Sequence, residues 1–125
     1  DCDSKTVSAQ SFEETPVWNA ANNKVMWQVY LGASHDPNSS APPLYASPMH
    51  RNDFSGLPPA YIESAEFDPL RDEAHHYADA LAAAGVDVQQ VMVSGAVHGY
   101  DHVDCTLTQS AKANRLEAMR QLLCD

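Results

Sequence analysis

The 125 residues predict an α/β fold, parallel strands joined by a crossover helix, and three observations carry that expectation. Two strand-like runs, Ala60 to Glu66 and Val86 to Val93, flank a segment with helical spacing of its apolar residues. Asp68-Pro69 punctuates the end of the first run, and Gly85 sits where a left-handed cap would close the helix. Two strands connected through a helix are parallel, adjacent and joined right-handedly.

In chain order, Asp1 to Pro16 is polar and reads as irregular. Trp18, Ala21, Val25, Met26 and Val29 then recur at three- and four-residue intervals, predicting an amphipathic helix from near Asn19 to near Gly32. Residues 33–59 hold six of the eight prolines and read as a long surface connection, with one short helical turn around Met49 to Phe54. Leu70 to Ala84 is the clearest helix, with Ala74, Tyr77, Ala78 and Leu81 as its buried face. In the second strand the alternation slips between Val88 and Val91, which predicts a bulge near Gln89-Gln90 or burial on both faces. Ser94 to Asp104 reads as a loop, and Leu107 to Leu123 as a closing helix with Ala111, Ala118, Leu122 and Leu123 toward the core. The whole is one domain, with a helix and proline-rich loop over residues 1–59 and strand–helix–strand–helix over residues 60–125.

Composition removes several functions. Seven Lys and Arg against seventeen Asp and Glu give a formal charge of −10. The cations are scattered singly from Lys5 to Arg120, so no nucleic-acid partner is expected. No apolar run approaches the roughly 20 residues of a membrane span. Cys2, Cys105 and Cys124 have no CxxC spacing; free thiols of a cytoplasmic protein are expected, with a Cys105–Cys124 bridge as the alternative. No cofactor motif is present.

The chemistry concentrates at Asp68 and His98. An Asp before Pro after a strand is an ordinary helix N-cap, and a His beside Gly in a loop is an ordinary surface residue. Ligands in open α/β sheets, however, bind beyond the carboxyl ends of strands. Both residues follow such ends, on the same sheet edge, so an acid–base pair is the competing reading. Asp72 and Glu73 in the first helical turn read as structural, favourably placed toward the helix dipole and buttressing the loops around Asp68 and His98. His75 and His76 are adjacent on a helix and cannot share a ligand face. His98 and His102 suggest a metal only weakly, because further ligands are lacking. His35, Asp36 and His50 read as loop decoration. Trp18, Met26, Trp27 and Tyr30 read as packing first and an acyl-chain wall second.

Several segments in order resemble one family. VWNAANNKVMWQVYLG resembles a cap-proximal helix, YASPM followed by LPPAYI the lead into a strand, EFDPLRDEA a catalytic-acid loop, AGVDV the start of the last strand, and VHGY a His-Gly-Phe loop with Tyr100 for Phe. Together they resemble the C-terminal portion of an α/β-hydrolase fold, in the hormone-sensitive-lipase-like esterases of the alpha/beta hydrolase fold-3 group. The resemblance implies a serine carboxylic-ester hydrolase with Asp68 as triad acid and His98 as base. It also requires a GxSxG elbow and a glycine-rich oxyanion loop. The five glycines, at 32, 56, 85, 95 and 99, include one pair four apart, and Val97 stands between them. No nucleophile is therefore expected within these residues, and the chain, which opens without Met, is expected to be a C-terminal segment inactive alone.

Two other functions compete. One is a non-catalytic binding or self-association module, since an unpartnered edge at the first strand invites a homodimer. The other is a metal-dependent hydrolase built on His98 and His102. In the esterase reading the partners are a neutral carboxylic ester and a complementing N-terminal fragment.

Overall fold

The computed structural model describes residues 2–32, 42–43 and 45–124. His35, Asp36 and much of the proline-rich connection lie outside these residues, as does the side chain of Cys124. Helix α1 (Val7–Ser11) is followed by α2 (Ala20–Leu31), a 3-10 turn (Pro48–His50), β1 (Ala60–Phe67), α3 (Arg71–Ala83), β2 (Val88–Val97), a second 3-10 turn (Tyr100–His102) and α4 (Thr106–Cys124). The strands pair in parallel, as the crossover helix requires.

Local chemistry explains the boundaries. Asn19 caps α2 by accepting the Asn22 N–H at 2.9 Å, and Gly32 ends the helix at φ +87°. Helix α3 closes with Gly85 in the left-handed region, its N–H donating to the Ala82 carbonyl while the Val86 N–H reaches the Leu81 carbonyl. That is the paired bonding of a Schellman motif, and the buried Leu81 and Val86 supply its apolar contact.

Five expectations change. The irregular N-terminus contains α1, whose Thr6 cap accepts the Ala9 N–H. The short turn anticipated at Met49 to Phe54 stands slightly earlier, at Pro48–His50. The second strand starts at Val88 and runs on to Val97, through part of the expected loop, because its irregularity lies later than Gln89-Gln90. Tyr61 and Ile62 pair regularly with Gln89 and Gln90, whereas Ala65 pairs with Val93 and Phe67 with Val97. Two extra residues thus bulge from β2, with Gly95 at φ +74° and its N–H donating to Glu66 Oε2 at 2.8 Å. Helix α2 has its expected bounds but not its expected burial. Its buried residue is Asn23, while Val25, Met26, Val29 and Tyr30 are exposed, because its packing partner here is the short α1. Finally, α4 buries Ala111 and Ala118 as expected, but Leu123 is exposed at 78 % and Thr108 is buried with the two alanines.

The apolar centre is small: Ala65, Val93 and Ala96, with Val91 and Tyr100 against them. A polar cluster ties it to α4. Arg115 donates to Glu63 at 2.6 Å and to Asp101 at 2.8 Å, and Glu63 also accepts from Tyr61 and Tyr100. Burial alone would raise the Glu63 carboxyl, but the bonds from Arg115, Tyr100 and Tyr61 outweigh it and hold it below its ordinary 4.5. Burial, with the bond to Glu63, pushes Tyr61 and Tyr100 up to about 12.

A carboxyl depressed on folding stabilises the fold above its unfolded value, and that contribution disappears as pH falls through its folded value. Urea unfolding should therefore show stability dropping as pH falls below 4.5, with Glu63→Gln giving a flatter profile over that window. Superimposable profiles would remove Glu63 from the acid response.

Candidate active site

The geometry begins with the bulge in β2. Were the ladder regular beyond Ala65, Gly95 would face Phe67, and His98 would stand two residues past Asp68, roughly 6–7 Å too far. The extra residues are absorbed, Val97 faces Phe67, and the next residues along, Asp68 and His98, meet. His98 Nδ1 and Asp68 Oδ2 are 2.8 Å apart. A carboxylate can only accept, so Nδ1 carries the proton and the Nε2 lone pair is left for another group.

Asp68 is buried, and its carboxylate serves two directions at once. Oδ1 accepts the Leu70 N–H at 2.8 Å while Oδ2 holds His98. The expected N-cap is thus altered in detail: Leu70 occupies the cap position, without a side-chain cap, and Asp68 bonds two residues ahead as an Asx turn. One side chain thus serves both the backbone that leads into α3 and the imidazole of His98.

Behind it, the N-terminal segment is latched to α3. Ser8, fully buried, donates its N–H to Asp72 Oδ2 at 2.7 Å and its hydroxyl to the Pro69 carbonyl, while the Asp72 N–H returns to Ser8 Oγ at 3.0 Å. Burial works to raise the Asp72 carboxyl, but its bonds from Arg71 and Ser8 prevail and hold it low. Asp72 therefore fixes α1, rather than the loops at Asp68 and His98. Glu73 is buried at the same helix start, and that burial pushes its carboxyl up.

A tight turn before α2 covers the imidazole. Val17 has φ +68°, and the Trp18 N–H donates to the Pro16 carbonyl at 2.8 Å, the bonding of a γ-turn. A β-branched residue rarely adopts that backbone. The turn lays Trp18 over His98, with ring centroids 5.7 Å apart and planes tilted by 32°. It also sets Val17 against Gly99: a Cβ there would lie 3.3 Å from Val17 Cγ1, and Gly99 itself is left-handed at φ +71°.

The remaining residues separate from this pair. His75 bonds Ser64 Oγ at 3.0 Å, and His76 and His102 are exposed. Cys2 and Cys105 are free thiols, so Cys105 forms no bridge. Among the described residues, three metal-capable side chains converge not at His98 and His102 but at Cys2, Asp3 and His50, with ligand atoms within 4.8 Å of one another. His50, expected as loop decoration, thus lies beside Cys2 and Asp3, and Lys5 also reaches this cluster, 3.0 Å from Asp3. No helix among the described residues is long and apolar enough to cross a membrane.

Sequence reading missed the Glu63–Arg115 cluster, yet a signal existed. Thr108, Ala111, Arg115, Ala118 and Leu122 follow one another at three- and four-residue spacing, so Arg115 falls on the buried stripe of α4. A cation on such a stripe announces a buried partner.

Comparison with known proteins bears on the fold and its family. A family model described as alpha/beta hydrolase fold matches residues 1–102. A carboxylesterase, NlhH, of Mycobacterium tuberculosis is 48% identical over 61 residues, which are 49% of this chain and 19% of that protein. An arylesterase of Saccharolobus solfataricus is 43% identical over 58 residues, 46% of this chain and 19% of its own length. Among solved structures, a bacterial heroin esterase superposes with a TM-score of 0.95 at 38% identity, covering 98% of this chain and 39% of that one. The chain thus spans well under half the length of the proteins it matches.

Gly99→Ala should destabilise the chain by at least the roughly 1–2 kcal/mol of a left-handed L-residue. It should cost more than Gly56→Ala, where φ is +69° but nothing lies within 4 Å. Urea midpoints of the two variants measure the difference, and equal losses would show that Val17 yields freely.

Proposed function

The chain belongs to the alpha/beta hydrolase fold-3 family, the hormone-sensitive-lipase-like esterases, and from that premise we propose that it supplies the acid and base of a serine carboxylic-ester hydrolase. Asp68 is the triad acid and His98 the base. The nucleophilic serine and the oxyanion donors come from a segment outside these 125 residues. The observation that carries the reading is the 2.8 Å bond between Asp68 Oδ2 and His98 Nδ1, which leaves Nε2 available.

In this mechanism His98 Nε2 takes the serine proton as the hydroxyl attacks the ester carbonyl. Asp68 holds the tautomer and stabilises the imidazolium. The proton passes to the departing alcohol, and water then releases the acid from the acyl-enzyme by the same route in reverse. Substrates are carboxylic esters with short to medium acyl chains, neutral rather than anionic because a formal charge of −10 opposes anions. The names of the similar proteins, carboxylesterase and arylesterase, support this class. The free thiols of Cys2 and Cys105 support a reducing, cytoplasmic setting.

A second reading, a non-catalytic binding or self-association module, draws on the exposed apolar face of α2 at Val25, Met26, Val29 and Tyr30. It predicts a dimer in sedimentation and no rescue of hydrolysis by any added segment.

The test is hydrolysis of p-nitrophenyl butyrate by the chain with and without a co-expressed upstream segment from a related esterase carrying a GxSxG sequence. Loss of the serine from a comparable triad costs about 10⁶ in turnover, so the chain alone should be silent. The pair should be active, and His98→Ala should return it to background. Activity of the chain alone, or activity of the pair unaffected by His98→Ala, would overturn the assignment.

A further inference from the structure

A thiol, a carboxylate and an imidazole meet where the segment ahead of α1 passes the Pro48–His50 turn. One ligand atom from each of Cys2, Asp3 and His50 lies within 4.8 Å of the other two. All three side chains are half-buried, so an ion can reach them from solvent. Tetrahedral coordination at ordinary zinc–ligand lengths sets neighbouring ligand atoms about 3.5 Å apart. Cys2 Sγ and Asp3 Oδ1 already stand at 3.8 Å. The backbone on both sides is held by the fold. Ser4, next to Asp3, is left-handed at φ +47°, and the buried Asn23 of α2 donates its side-chain amide to Ser4 Oγ at 3.4 Å. Opposite, the His50 N–H donates to the Ser47 carbonyl at 3.0 Å and closes the turn. Lys5 pairs with Asp3 Oδ2, whereas Oδ1 faces the thiol.

We propose that Cys2, Asp3 and His50 bind one divalent cation of the zinc class, the thiol releasing its proton to solvent and water completing the tetrahedron. The donor set selects the metal. Thiolate and imidazole suit zinc, whereas magnesium and calcium take oxygen ligands. The formal charge of −10 favours a cation at the surface. The bound ion ties the segment ahead of α1 to the turn ahead of β1. It shares no residue with the Asp68–His98 pair, so this site and the esterase reading stand or fall separately.

The probe is Co²⁺, whose four-coordinate thiolate complexes absorb in the near ultraviolet and strongly in the visible. The reduced 125-residue chain, carrying Cys105→Ser and Cys124→Ser so that Cys2 is its one thiol, should show both bands, saturating at one ion per chain. Zn²⁺ should displace the Co²⁺, and a large excess of Mg²⁺ should not. Cys2→Ser and His50→Ala should each weaken binding at least tenfold, and Asp3→Asn several-fold. Lys5→Met, which removes a competing cation, should tighten it. The bands should persist when a Gly-Ser extension ahead of residue 1 carries the terminal amine away, and should vanish in denaturing urea, which parts Cys2 from His50. With His50 intact, Co²⁺ should also broaden the His50 ring resonances, an assignment that does not depend on a variant folding. Absence of the bands, undiminished binding by His50→Ala, an unaffected His50 ring at saturation, or loss of binding on extension would each overturn the proposal.

Discussion

Arg115 and Glu63 join parts of the chain that otherwise share little apolar surface. The guanidinium reaches from α4 to the middle of β1 and, through Asp101 and Tyr100, to the turn that follows His98. The apolar centre between the strands consists of two alanines and a valine. Burial of so small a cluster gives only a modest return, since each buried valine-sized side chain is worth about 1.5–3 kcal/mol. A buried ion pair is often no more stabilising than well-packed apolar residues would be, but breaking it on one side is costly. Here it supplies direction. The fork of Arg115 is satisfied when β1, α4 and the loop after His98 occupy one mutual arrangement.

The site depends on that arrangement from the other side as well. Asp68 divides its carboxylate between the backbone entering α3 and the imidazole of His98, so the carboxylate is held by the fold as well as by the imidazole. The Ser8–Asp72 latch brings the N-terminal segment to the same corner, and the strained turn at Val17 aims Trp18 across the ring. Strain at a non-glycine left-handed position persists when its surroundings over-determine it. Gly99 is the matching concession, a residue without a side chain where one would meet Val17.

How much of this was legible follows from what kind of interaction made it. Elements set by short-range chemistry were readable: α2 between Asn19 and Gly32, the helix closed by Gly85, and the strand ending before Asp68-Pro69. The Asp68–His98 meeting was readable from strand-end topology. What escaped was set by partners distant in sequence. The bulge announces itself in the sequence only as a glycine, and its true place depends on which residues of β1 stand opposite. Burial of α2 was overstated because periodicity shows which face is apolar, not whether anything covers it. Arg115 lay in plain view on a buried stripe, but its meaning required Glu63, 52 residues away.

The excess of two residues in β2 also sets a rule for how this segment can change in length. Side chains alternate across a strand, so parity decides which side of the sheet each one meets. Gaining or losing a pair between Val93 and Val97 preserves parity, and His98 keeps its side. A single-residue change reverses it unless the irregularity at Gly95 absorbs the odd residue as well, so the orientation of the imidazole toward Asp68 depends on the form of the bulge and not on strand pairing alone.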